Sequence, residues 1–130
     1  MHGINDFYDH VTKLQILFIN GITSIDQDGI IINSRDYNFP YIVNITFSGK
    51  YYNNDPEAML MYLDLNGVAV SNGAACTSGT LKPSHVILSM GRSVEDAKGT
   101  IRFSFGRQNT FEEVYYVLSV LDKMSKKFRK

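Results

Sequence analysis

With 130 residues, 44% of them hydrophobic, the chain is one domain's worth of sequence: enough for a modest core, small for an enzyme enclosing a bulky cofactor. Its 13 basic and 13 acidic side chains cancel, so there is no electrostatic footprint for a nucleic acid, and no apolar run approaches the roughly 20 residues that span a bilayer. The first residues show no basic region followed by a hydrophobic segment, and a single cysteine cannot form an internal disulfide, so a cytoplasmic, reducing setting is expected.

Phe7, Val11, Leu14, Leu17 and Phe18 recur at helical spacing, which predicts an amphipathic helix over 6–22 with Asp6 at its N-cap and Gly21 near its end. Residues 25–29, I-D-Q-D-G, have turn chemistry, because Asp and Gly accept tight and positive-φ backbones, and residues 30–32 follow as a short β-branched strand. His2 and His10 have no second ligand at metal spacing and are expected in solvated or partly packed roles. Residues 41–48, Y-I-V-N-I-T-F-S, are the clearest strand, with apolar positions alternating around Asn44 and Thr46. Asp55, Pro56 and Glu57 supply the cap, first-turn proline and first-turn acid of a helix through about Asn66. Met59, Leu60 and Leu63 form its buried stripe with Tyr62 at the margin, and Gly67 is its stop.

Residues 68–70 read as a short strand delivering the chain into residues 71–83, S-N-G-A-A-C-T-S-G-T-L-K-P, and Pro83 opens a helix through about Met90. Gly, Ala, Ser and Thr carry little apolar side-chain area, so this loop is expected to be mobile, with the Cys76 thiol near its tip. A lone cysteine is ordinarily a small, inert, buried residue. This one is set among turn formers and followed by Thr77 and Ser78, unlike the apolar run such a residue occupies. The glycines make no phosphate cradle, lacking both a G-K-[ST] ending and G-x-G-x-x-G spacing. His85 fits a structural or capping role at least as well as a thiol–imidazole pair. One cysteine and one histidine do not make a metal site, so no metal is expected.

Ser93, with Asp96 three residues on, starts a further helix that ends by Gly99. Residues 100–105, T-I-R-F-S-F, alternate Ile101, Phe103 and Phe105 against Thr100, Arg102 and Ser104, so the Arg102 guanidinium stands on the polar face and needs solvent or an acidic partner. Thr110 and Glu113 form a capping box for a last helix with Val114, Val117, Leu118, Leu121 and Met124 on one face. Lys123, Lys126, Lys127, Arg129 and Lys130 read as its solvated, dipole-complementing end. Few, short strands among helices predict an α+β fold, a two-layer α/β arrangement with a small, mostly antiparallel sheet and helices packed on one face.

Residues 67–88, G-V-A-V-S-N-G-A-A-C-T-S-G-T-L-K-P-S-H-V-I-L, resemble the active-site segment of cysteine desulfurases of the nitrogenase and iron–sulfur-cluster type, which are class-V aminotransferase enzymes using pyridoxal phosphate. They depart from the family's usual wording at Asn72, Ala74 and Lys82: the thiol stays, a hydroxyl is lost at 74 and a charge is reversed at 82. Residues 101–107, I-R-F-S-F-G-R, match the family's I-R-F-S-L-G-R. Asn44 in V-N-I-T-F, the D-L-N-G-V-A turn and the capped last helix extend the similarity over about residues 11–121. The resemblance implies that residues 1–130 are a single domain like the C-terminal small domain of fold-type I pyridoxal-phosphate enzymes. It assigns Cys76 as the catalytic nucleophile that takes sulfur from L-cysteine as a persulfide, releasing L-alanine, and Arg102 as the residue that binds the substrate carboxylate. Arg107 takes a structural task.

The family's Schiff-base lysine sits in an S-x-H-K segment, and no lysine here has that context, so the cofactor-binding domain is expected to lie outside this chain, which alone should be inactive. The partners implied by the resemblance are L-cysteine, the missing cofactor domain and a sulfur-acceptor protein such as an iron–sulfur scaffold, with the full-length family homodimeric. Neither nucleic acid nor membrane is expected as a partner. The alternative is a non-catalytic sulfur-carrier or interaction module using Cys76 as a persulfide acceptor. A third reading is a structural fragment with an inert thiol, which would resist alkylation until unfolding.

Overall fold

The computed structural model describes residues 2–33, 42–68, 71–72 and 98–130. Within them the order is α1 (His2–Ile25), β1 (Ile30–Ile32), β2 (Ile42–Phe47), α2 (Pro56–Leu65), β3 (Ser71–Asn72), β4 (Thr100–Ser104) and α3 (Phe111–Phe128). The strands form one sheet in the order β1-β2-β4-β3, every neighbouring pair antiparallel. This is the α+β arrangement that short strands interspersed with helices imply. No described helix is long and apolar enough to cross a membrane.

Alternation along the strands builds two unlike faces. The register pairs Ile30 with Phe47, Ile32 with Ile45, Ile45 with Ile101 and Val43 with Phe103, so one face is continuous hydrocarbon. That face closes on Leu14, Phe18 and Ile22 of α1, Met59 and Leu63 of α2, and Val114, Leu121 and Met124 of α3 in one buried cluster. The Phe18 ring lies 4.9 Å from that of Phe103 and 5.4 Å from that of Phe105, tying α1 to β4 and the residue after it. Helix α2 begins as its sequence indicates, with the Asp55 carboxylate accepting from the Glu57 and Ala58 N–H groups at 3.1 and 3.4 Å.

Helix α1 is longer than 6–22 at both ends. Its backbone is helical from His2, so Asp6 lies inside it: once nucleated, a helix gains a hydrogen bond per added residue, which outweighs a local capping preference. It also runs past Gly21 to Ile25, because Ile22 is fully buried and Gly21 faces α3, where a Cβ would strike the Leu118 side chain. Gly21 is thus a packing residue. Asp26 ends the helix instead, its Oδ1 accepting from the N–H groups of Asp28 at 3.2 Å and Gly29 at 3.0 Å. Gly29 is needed for its size, since a Cβ there would meet the Asp26 carboxylate and the Tyr52 ring. Among the described residues only Gly67 has positive φ, at 78°, just past α2 where a left-handed stop is expected.

Three further expectations are corrected. Val68 is buried but in no strand: its N–H donates to Leu63 O at 2.8 Å and so completes the turn that ends α2. The described ladder is at Ser71–Asn72, while residues 69 and 70 lie outside the described residues, as do the helices read from Pro83 and Ser93. Thr100 is not on an open polar face; it is 1% exposed because its hydroxyl lies 2.8 Å from that of the equally buried Thr46. Nor is the basic end simply solvated. Arg129 donates to Asp26 Oδ2 at 2.7 Å, and Asn53 and Lys130 N–H groups donate to Phe128 O and Tyr51 O at 2.8 and 2.9 Å, pinning the last residues to the segment after β2.

Candidate functional site

Arg102 lies on β4 between Ile101 and Phe103, both buried, and the two-residue period therefore turns its side chain away from the core into an exposed position. Across the ladders it stands opposite Asn44 of β2 and Ser71 of β3. The pairs Thr46–Thr100 and Ile42–Ser104 flank it along β2 and β4. Arg102 is thus a charge opposite neutral partners in both ladders.

A hydrogen-bonded chain orders those neighbours. Asn33, just past β1, donates through Nδ2 to Asn44 Oδ1 at 3.0 Å and to Thr46 Oγ1 at 2.6 Å, and Thr46 Oγ1 in turn meets Thr100 Oγ1. Buried hydroxyls carry a penalty unless paired, and the threonine pair satisfies it while holding β2 against β4 two residues from Arg102. The network therefore sets the backbone from which the guanidinium projects. Among the described residues the Arg102 side chain makes no ion pair and no hydrogen bond. A structural salt bridge would need an acid beside it, and both cross-strand neighbours are uncharged. An exposed, planar guanidinium in such a setting is suited to take a carboxylate through two parallel hydrogen bonds.

Strand β3 places Ser71 and Asn72, the first two residues of the cysteine segment, against Arg102 and Ile101. Cys76 follows Asn72 by four residues, a length of chain that spans at most about 14 Å. Cys76, Ala74, Lys82 and His85 lie outside the described residues. The structure brings together Arg102 and the strand that precedes Cys76. Sequence patterning finds Asn44 and Arg102 on strands separately. The alternation that puts Asn44 with Thr46 and Thr100 with Arg102 is a usable signal for the network, but the register that aligns the two strands is in neither segment alone.

Other groups contribute less. An open cavity of about 250 Å³ near the end of β4 is lined by Val68, Phe103, Phe105, Asn109 and Glu113 among others. Its polar groups already hold the chain: Glu113 accepts from the Thr110 N–H at 2.9 Å and Asn109 Oδ1 from the Gly106 N–H at 2.7 Å. His10 Nε2 lies 2.7 Å from Asn109 O with its ring edge-on to Phe111, a packing role. Among the described residues no cluster of three His, Cys, Asp or Glu could hold a metal ion. Pyridoxal phosphate would need a lysine and an acid close together. Lys13, Lys50 and Lys126 are exposed and engaged with Asp9, the Tyr51 ring and Asp122, at 3.2, 5.5 and 3.4 Å. Among the described residues, the cross-strand neighbours of Arg102 suit a carboxylate and include no lysine.

The chain has relatives among known proteins. A family model described as aminotransferase class-V matches residues 2–117. The chain is 45% identical over 131 residues to a protein named cysteine desulfurase IscS from Clostridium botulinum, covering 99% of this chain and 32% of that protein. It is 37% identical over 121 residues to a protein of the same name from Dictyoglomus turgidum, covering 93% and 30%. Among solved structures, a NifS-like protein from Rickettsia africae superposes with a TM-score of 0.76 at 26% identity, covering 95% of this chain and 30% of that one. The chain spans about a third of the length of the curated relatives it matches.

Proposed function

The chain belongs to the class-V aminotransferase family, and from that membership we propose that it is the C-terminal, cysteine-bearing part of a cysteine desulfurase. The observation that carries this reading is Arg102, an exposed guanidinium without a partner among the described residues, set beside the strand that precedes Cys76. The names of the relatives and the motif around Cys76 support it.

In this reading Arg102 binds the carboxylate of L-cysteine and fixes the substrate's orientation. Cys76, as the thiolate, attacks the substrate sulfur. A sulfur–sulfur bond forms on Cys76 as the substrate's carbon–sulfur bond breaks. The electron pair of that bond stays with the carbon skeleton, which is protonated and leaves as L-alanine. Pyridoxal phosphate would be held by the remainder of a longer protein and would supply there the electron sink that makes a carbon–sulfur bond labile. The persulfide then serves an acceptor protein, such as an iron–sulfur scaffold, in the cytoplasm. Residues 1–130 act as one domain, and homodimerisation belongs to the longer protein.

Alanine release from L-cysteine tests this, measured with pyridoxal phosphate present for the chain alone and for the chain mixed with a separately produced cofactor-binding part. The expected outcome is no release alone and release in the mixture. In that mixture Arg102→Ala raises KM for L-cysteine about ten- to hundredfold, the loss of a charged hydrogen-bonded pair. Release by the chain alone would overturn the half-site, and an unchanged KM would remove Arg102 from substrate binding.

A further inference from the structure

The sequence contains three Asn-Gly pairs, at 20–21, 66–67 and 72–73. In such a pair the glycine nitrogen, unscreened by a β-carbon, can attack the asparagine side-chain carbonyl carbon. A carbon–nitrogen bond forms, the side-chain nitrogen leaves as ammonia with the proton the backbone nitrogen gives up, and a cyclic imide results. Water then opens the imide to an aspartyl or an isoaspartyl linkage. The reaction needs water and no other reagent.

The fold separates these pairs. Asn20 and Gly21 are inside α1, and Gly21 is packed against Leu118 of α3, so the backbone there moves only if the helix leaves the core. Asn66 is the C-cap of α2 at φ −95°, ψ 12°, and Gly67 follows in an exposed left-handed conformation with no atom within 4 Å of where a Cβ would stand. Gly73 lies outside the described residues. We propose that Asn66 is a site of spontaneous, imide-mediated modification in the folded protein, converting to aspartyl and isoaspartyl forms while Asn20 keeps its amide.

Both reacting groups are engaged in the closed cap: Asn66 Nδ2 donates to Tyr62 O at 2.8 Å and the Gly67 N–H to Asp64 O at 3.0 Å. Reaction therefore proceeds from an opened cap. A terminal turn opens at far lower cost than the middle of a core helix, which is the physical basis of the selectivity. Tyr116 of α3 holds the cap shut from outside, its hydroxyl donating to Asn66 O at 2.5 Å. Modification would leave a carboxylate beside Asp64 at the negative end of the helix dipole, and the isoaspartyl form adds a backbone atom between α2 and β3. The strand affected is the one that pairs with Arg102.

The test is to hold the full chain at mildly alkaline pH, digest it, and map amide-to-acid conversion with isoaspartyl detection. Conversion at Asn66 with both isomers present, none at Asn20, and none at position 66 in Asn66→Gln is the expected result. Tyr116→Phe removes the outer bond, made to the carbonyl oxygen of the Asn66–Gly67 peptide, while leaving the Asn66 side chain and Gly67 in place, and should speed conversion about fivefold. The proposal is overturned by an Asn66 amide that survives while a free peptide spanning residues 64–68 converts, or by equal conversion at Asn20. An unchanged rate in Tyr116→Phe would overturn cap opening as the route.

Discussion

Asp26 joins three parts of the chain through one carboxylate. Oδ1 caps the turn after α1, while Oδ2 accepts from Tyr52 at 2.5 Å and from Arg129 at 2.7 Å. Burial on its own raises the carboxyl's pKa. The hydrogen bonds from Tyr52, Gly29 and Asp28 and the charge of Arg129 together outweigh that and hold it below the usual 3.8. Tyr52 moves the other way, pushed up first by burial and then by its bond to the Asp26 carboxylate and the charge on it. A carboxyl whose folded pKa lies below its unfolded value stabilises fully above the unfolded value, and that contribution is lost as pH falls through the folded one. Asp26→Asn should therefore cost about 1–3 kcal/mol at pH 7 and flatten the fall in stability below about pH 4, read from thermal unfolding against pH. An unchanged acid slope would show that other carboxylates set it. This cluster is not legible in the sequence, because Tyr52 and Arg129 lie 26 and 103 residues from Asp26 and only the local Oδ1 turn has a sequence signal.

The elements whose boundaries could be read are those set by local chemistry. Asp55 caps α2, and Thr110 and Glu113 exchange both bonds of a capping box on α3, at 3.1 and 2.9 Å. Strands β2 and β4 follow from their alternation. Boundaries set by tertiary contact were not readable: α1 passes Gly21 because α3 needs that glycine's lack of side chain, and Val68 stays with α2 through a bond to Leu63. Val120 falls outside the apolar stripe expected for α3 yet is buried, since that helix packs on both α1 and α2 and needs more than one stripe. Glycine packing separates two variants. At Gly99 a Cβ would meet the Phe47 carbonyl oxygen, part of the backbone that donates back to Gly99 O at 3.0 Å. Gly99→Ala should cost about 1–3 kcal/mol in denaturant unfolding, because the β2–β4 spacing must widen. Gly21→Ala should cost less, since the obstructing atoms are the tip of the flexible Leu118 side chain. The reverse order would contradict this packing.

At the scale of the molecule, one sheet face is committed to the helices and the other presents Arg102 beside the strand that precedes Cys76. The chain accounts for about a third of its relatives' length, and the proposed chemistry needs what that remainder would hold. The most direct measurement is the intact mass of this chain after mixing with the cofactor-binding part and L-cysteine. A gain of one sulfur on Cys76, absent in Cys76→Ser and reduced in Arg102→Ala, is the expected result. No gain, with the two parts shown to bind each other, would contradict the desulfurase half-site and leave a member of the family without its chemistry.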